Sequence, residues 1–93
     1  MKAKISYIEY KLTILKTIRT LTPPKVMECS TQEVCALMAE DRIRIDARVV
    51  ASLIGGFRRE GLVVARRYLQ RNLWKLTAKG LQYIHDQDVK KSR

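Results

Sequence analysis

Phe57-Arg58-Arg59-Glu60-Gly61-Leu62-Val63, followed after a short basic stretch by Leu76-Thr77-Ala78-Lys79-Gly80, decides how this chain folds. The first segment reads as the end of a helix. Gly61 stands where a left-handed C-terminal residue is needed, and the apolar pair Leu62-Val63 opens an extended run. The second segment reads as the reverse change. Leu76 ends an extended run, and Thr77 caps a helix that begins at Ala78. Between them, Leu62 to Arg67 and Asn72 to Leu76 form two strands joined through Tyr68 to Arg71, an antiparallel hairpin. Leu62 with Val64, and Trp74 with Leu76, are the expected inward pairs at period two.

Upstream of Gly61, the helix begins at Asp46, a good N-cap, and runs to about Glu60. Val49, Val50, Leu53, Ile54 and Phe57 fall on one face. Arg48, Ala51, Ser52, Gly55, Arg58 and Arg59 fall on the other. Before it, Ser30-Thr31-Gln32-Glu33 spells a capping box, with Cys29 and Val34 as its hydrophobic staple. Val34, Leu37 and Met38 form the buried side of that helix. Arg42-Ile43-Arg44-Ile45 alternates polar and apolar, so it is an extended turn or a very short strand. The first helix spans about Lys4 to Thr20, and Pro23-Pro24 closes it. Ile5, Ile8, Leu12 and Leu15 make one stripe, and Tyr7, Tyr10, Ile14, Ile18 and Leu21 a second. Two stripes imply either a central, well-covered helix or one that also meets another subunit. Past Thr77, Leu81 and Ile84 anchor a last helix to about Asp88, and Lys90-Lys91-Ser92-Arg93 is a basic tail. The expected fold class is α+β, mainly α with a small β-hairpin, with residues 1–89 as one domain.

The chain has 93 residues, enough for one small core. Nineteen Lys and Arg against nine Asp and Glu leave a net charge of +10. Residues 47–93 hold eleven of the basic and three of the acidic side chains. A field of one sign on so small a body suits a polyanion, either nucleic acid or an anionic surface. Cys29 and Cys35 enter one helix at positions that point apart, so a bridge between them is not expected. They read as free thiols of a reducing compartment. With no signal-peptide pattern and no apolar run of membrane-spanning length, the expectation is a cytoplasmic protein that does not engage membranes. No catalytic set, phosphate loop or zinc-ligand spacing is present, and His85 is the sole histidine. No cofactor, metal or enzymatic activity is expected.

The two opening segments resemble a known pattern. A large apolar residue, three polar residues and Gly-Leu-Val, followed by Leu-Thr-x-x-Gly with Trp74 two before that Leu, is similar to the winged helix-turn-helix of MarR and PadR regulators. It also resembles small winged-helix proteins of archaea and their viruses. The resemblance covers about residues 30–85. It departs in a wing shorter than is usual for MarR proteins and in Gly55-Gly56 within the third helix. It implies a transcriptional regulator that binds double-stranded DNA, with the helix of residues 46–60 in the major groove and the wing of residues 62–76 on the minor groove or backbone. The expected contacts are Arg48, Ala51, Ser52, Gly55, Arg58 and Arg59 on the helix, and Arg66, Arg67, Arg71 and Lys75 on the wing. Arg48, in the first turn, can donate two bonds to guanine. Gly55 allows either close approach of DNA or tight packing, and Gly56 is expected to mark packing or a bend. The second stripe of the first helix, with Tyr7, Tyr10, Ile14 and Ile18, suggests a homodimer. A protein-interaction module and a structured-RNA binder remain open alternatives.

Overall fold

The computed structural model describes residues 7–23 and 28–91, the side chain of Lys91 apart. The expected helix start at Lys4, Ile5 of the first stripe, Pro24, and Ser92 and Arg93 of the tail lie outside the described residues. The elements run α1 (Tyr7–Leu21), β1 (Cys29–Ser30), α2 (Thr31–Glu40), α3 (Ala47–Arg59), β2 (Val63–Tyr68), β3 (Arg71–Leu76) and α4 (Ala78–Lys91). The strands form one antiparallel sheet in the order β1-β3-β2. Helices and sheet enclose a single core built around Phe57, Trp74 and the aliphatic side chains of α1 and α3. The expected helix order and hairpin are present.

The short strand is not where alternation suggested it. Of the two readings for Arg42 to Ile45 the strand is absent: Arg42 closes a turn and Ile43 to Ile45 carry no regular structure, while a short strand precedes α2. Its cause is the cap. Ser30 caps α2 with extended backbone (φ −94°, ψ 164°), and an extended pair beside a free sheet edge can join it. Cys29 and Ser30 pair with Trp74 and Leu73. The capping box is complete, with Ser30 Oγ accepting the Glu33 amide (3.2 Å) and Glu33 accepting the Ser30 amide (2.8 Å).

Helices α2 and α3 end alike. After α2, the amides of Arg42 and Ile43 bond to the carbonyls of Ala39 and Met38. After α3, those of Gly61 and Leu62 bond to Arg58 and Phe57. Both are Schellman motifs, which need a left-handed residue just past the cap. Gly61 takes it at φ 81°, and Arg42 takes it at φ 64° without glycine's freedom. The second motif shifts the expected strand phase. It uses Leu62 as its last member, so β2 starts one residue later, with Val63 and Ala65 turned inward opposite Leu76 and Trp74. Val64, expected inside, is half exposed, while Leu62 is buried within the cap itself.

Helix α1 is central, packing against α2, α3, α4 and β3. Leu12 and Leu15 of the first stripe and Ile14 and Ile18 of the second are all buried in the chain's own core. This corrects the subunit-interface assignment of Ile14 and Ile18, because a side chain with no exposed surface offers nothing to a partner. Tyr7 and Ile8 are exposed and Tyr10 is half-buried. Two expected anchors are also exposed, Val49 of α3 and Leu81 of α4, and Ile84 alone of the expected pair seals α4. Helix α4 continues to Lys91, past the expected end at Asp88.

Candidate nucleic-acid interface

The N-terminal turn of α3 and the tip of the β2–β3 hairpin face each other across an open groove of about 560 Å³. Asp46 starts α3 by accepting the Arg48 amide at 2.7 Å. That cap leaves the Arg48 side chain almost wholly exposed, with Nε 3.8 Å from Asp46 Oδ1. Arg48 and Ala51 form one wall, and Leu69 to Asn72 form the other. Ser30, Thr31 and Gln32, at the start of α2, close one end. The indole N–H of Trp74 donates to Thr31 Oγ1 at 2.8 Å, which fixes the hairpin to the start of α2.

The expected contact residues therefore separate into groups. Arg48, Ala51 and Arg71 share the groove. Ser52, Gly55, Arg58 and Arg59 continue along α3 outside it, with Ser52 and both arginines exposed. Arg67 is exposed and pairs with Asn72 near the hairpin end. Arg66, Arg71 and Lys75 stand at the alternate positions to Ala65 and Trp74, on the opposite sheet face, with Arg71 at the hairpin end where it also lines the groove.

Arg66 has a partner of its own. Its Nε donates to both Glu28 carboxylate oxygens (3.1 and 3.0 Å) and its Nη2 to Oε1 (2.6 Å). The guanidinium also lies over the Tyr68 ring, 5.4 Å from its centroid. The hydrogen bond from Arg66 holds the Glu28 carboxyl below the usual carboxylate range, with the charges of Arg66 and Lys75 adding to it. Both side chains meet solvent, so the pair contributes little to stability. It does neutralise one wing cation. Glu28 could have been found only from the register that sets β1 beside β3.

The two glycines of α3 are not packing positions. A Cβ built on Gly55 or Gly56 meets nothing within 4 Å. The close packing expected at Gly56 is therefore absent, and so is the packing alternative at Gly55. Gly55 lies on the exposed side with Arg48 and Ser52, along an unbroken helix.

One residue that patterning passed over connects the far end of α3 to the core. Lys11, on α1, is nearly buried and binds Glu60, the C-cap of α3, at 2.6 Å. Its ammonium lies 4.7 Å from the Tyr83 ring centroid and 5.8 Å from that of Phe57, within cation–π range. Both cysteines are free. Burial pushes the Cys29 thiol up to about 12, with Glu33 adding to the shift. Burial and Asp46 raise Cys35 as well. Neither is a thiolate at neutral pH. Among the described residues, no group of three His, Cys, Asp or Glu could hold a metal ion. No described helix is long and apolar enough to cross a membrane.

This architecture is a winged helix-turn-helix, with α2 and α3 as the helical pair and β2–β3 as the wing. Solved structures of the same fold include a PadR-family transcriptional regulator from Eggerthella lenta (TM-score 0.70, 14% identity, 91% of this chain and 78% of that one). Another is BpsR from Bordetella bronchiseptica, whose DNA binding is regulated by 6-hydroxynicotinic acid (TM-score 0.65, 20% identity, 82% of this chain). The matched region spans 49% of the BpsR chain. No protein-family model matches the sequence. No curated protein matches it either.

Proposed function

We propose that the protein is a transcriptional regulator that binds double-stranded DNA, with the N-terminal half of α3 in the major groove and the wing on the minor groove or backbone. The observation that carries this reading is the groove in which Arg48 and Ala51 face Arg71. An arginine at the start of an exposed helix is suited to guanine edges, and a wing arginine across from it to the neighbouring phosphates or a narrow minor groove. Ser52 and Gly55 extend the reading surface along α3. Arg58 and Arg59 follow as phosphate contacts. On the wing, Arg67 and Arg71 are the duplex contacts near the tip, Lys75 serves the backbone from the outer sheet face, and Arg66 joins it only when its pair with Glu28 opens. The net charge of +10 supplies the long-range attraction. Both similar structures named above are of regulators, which agrees with this reading.

A homodimer completes the proposal. With Ile14 and Ile18 inside the core, its contact is the outer part of α1, Tyr7 and Tyr10, with exposed Ile8 beside them. Leu81 and Val89 on α4, the helix packed against α1, are exposed as well. Selection of bound duplexes from a random pool tests both parts. The reading expects a preferred site with two-fold symmetry. Recovery of unrelated duplexes, or of folded RNA in preference to DNA, would contradict it.

A further inference from the structure

The wing is joined by a turn whose residues do not suit it. Tyr68 pairs with Arg71, so Leu69 and Gln70 form a two-residue connection. Both have positive φ, 49° and 66°. That is a type I′ turn, for which Asn-Gly and Asp-Gly are the favoured pairs. A leucine held in left-handed backbone is strained, and such strain persists where the surroundings or a function offset it. At 74% exposure, Leu69 is also the most exposed large apolar side chain among the described residues. It is presented on a hairpin held at its base by the Trp74–Thr31 hydrogen bond and the Arg66–Glu28 pair. Arg67 and Arg71 flank it within the two strands, so this apolar tip stands inside a collar of positive charge.

We propose that Leu69 is an apolar wedge that enters the minor groove of duplex DNA and partly unstacks one base step. The inference rests on the duplex-binding reading and adds a residue that selects sequence by deformability. The arginine collar names the occupant, because it matches the two phosphate rows that border a minor groove. That groove is about 6 Å wide, enough for one side chain from a tight hairpin end. Leucine is among the side chains that kink DNA by insertion between bases. Flexible pyrimidine–purine steps open most readily, so the wing should favour a TA step over a stiff A-tract.

The test uses two duplexes of about thirty base pairs at low salt, one with a central TA step and one without any flexible step. A fluorescent adenine analogue at the step reports unstacking. The wild-type protein and Leu69→Met, which keeps an apolar tip, should raise its emission several-fold. Leu69→Asn suits the left-handed turn, so its thermal midpoint should hold or rise. It should leave the emission flat. Its affinity for the TA duplex should fall about tenfold, with binding to the stiff duplex unchanged. If the wild type and Leu69→Asn give the same emission and affinity, the wedge is overturned while duplex binding stands. If the wild type binds neither duplex, both readings fall. If Leu69→Asn instead dissociates a dimer in sedimentation, Leu69 meets a second copy and the wedge is wrong.

Discussion

The backbone carbonyl of Leu62 occupies the space that a Cβ on Gly80 would need. The same carbonyl accepts the Thr77 amide at 3.0 Å. Thr77 Oγ1 donates to the Gly61 carbonyl at 2.6 Å and accepts the Gly80 amide at 3.0 Å, capping α4. The end of α3 and the start of α4 are thus one contact. Gly80→Ala must push α4 off the backbone of Leu62, which resembles overpacking a core and should cost about 2–3 kcal/mol. Calorimetry should show the midpoint lowered by roughly 10 °C or more for a domain of this size. A midpoint within a degree or two of wild type would mean that α4 moves freely.

The glycine pair of α3 predicts the opposite sign. With open space at both positions, Ala should stabilise the helix by up to about 1 kcal/mol at each. Stability retained below its maximum calls for an offset in function. Gly55→Ala should therefore raise the thermal midpoint and weaken duplex binding, whereas Gly56→Ala should raise it with less effect on binding. If Gly55→Ala binds as well as wild type, close backbone approach is not the reason for the glycine.

Glu28 engages the Arg66 guanidinium, so in the duplex-binding reading it withholds that side chain from phosphate. Glu28→Gln should leave stability within about 0.5 kcal/mol, as exposed pairs contribute little. It should strengthen duplex binding several-fold at low salt and steepen the fall of log K with log salt by about one. The wild-type protein should approach this behaviour on acidification only below 4.5, the ordinary carboxyl value, because Arg66 holds the Glu28 carboxyl lower still. A slope unchanged by the substitution would place Arg66 away from the duplex.

The thiols predict an alkaline limit. The Cys29 thiol titrates higher folded than unfolded, so the neutral form favours the folded state. That stability is fully present below about 9, the ordinary thiol value, and is lost as pH rises toward about 12. Cys29→Ala should remove this part of the alkaline destabilisation, and alkylation of wild-type Cys29 at neutral pH should proceed only through unfolding. Rapid alkylation of the native protein would contradict the burial.

Most of the fold was legible because its signals are local. The capping box at Ser30, the Asp46 cap, Gly61 and the Leu-Thr-x-x-Gly segment each satisfy backbone groups within a few residues, and each holds. What was missed depends on partners far along the chain. Val64 lies outside because the cap after α3 uses Leu62, a one-residue shift that reverses a strand's faces. Ile14 and Ile18 read as a spare stripe because periodicity shows that a face is apolar, not what covers it. For the site, the helix face bearing Arg48 was visible, but its sharing a groove with Arg71 and the pairing of Arg66 with Glu28 arise from strand register. The strained Leu69–Gln70 turn left no signal, since neither residue is a turn former.

The most direct test is duplex affinity after charge reversal across the groove. Arg48→Glu with Arg71→Glu touches two exposed side chains, so the thermal midpoint should stay near wild type. Fluorescence anisotropy with a selected duplex should show affinity reduced about a hundredfold or more at low salt. Equal affinity for that duplex in the folded double variant would contradict the account.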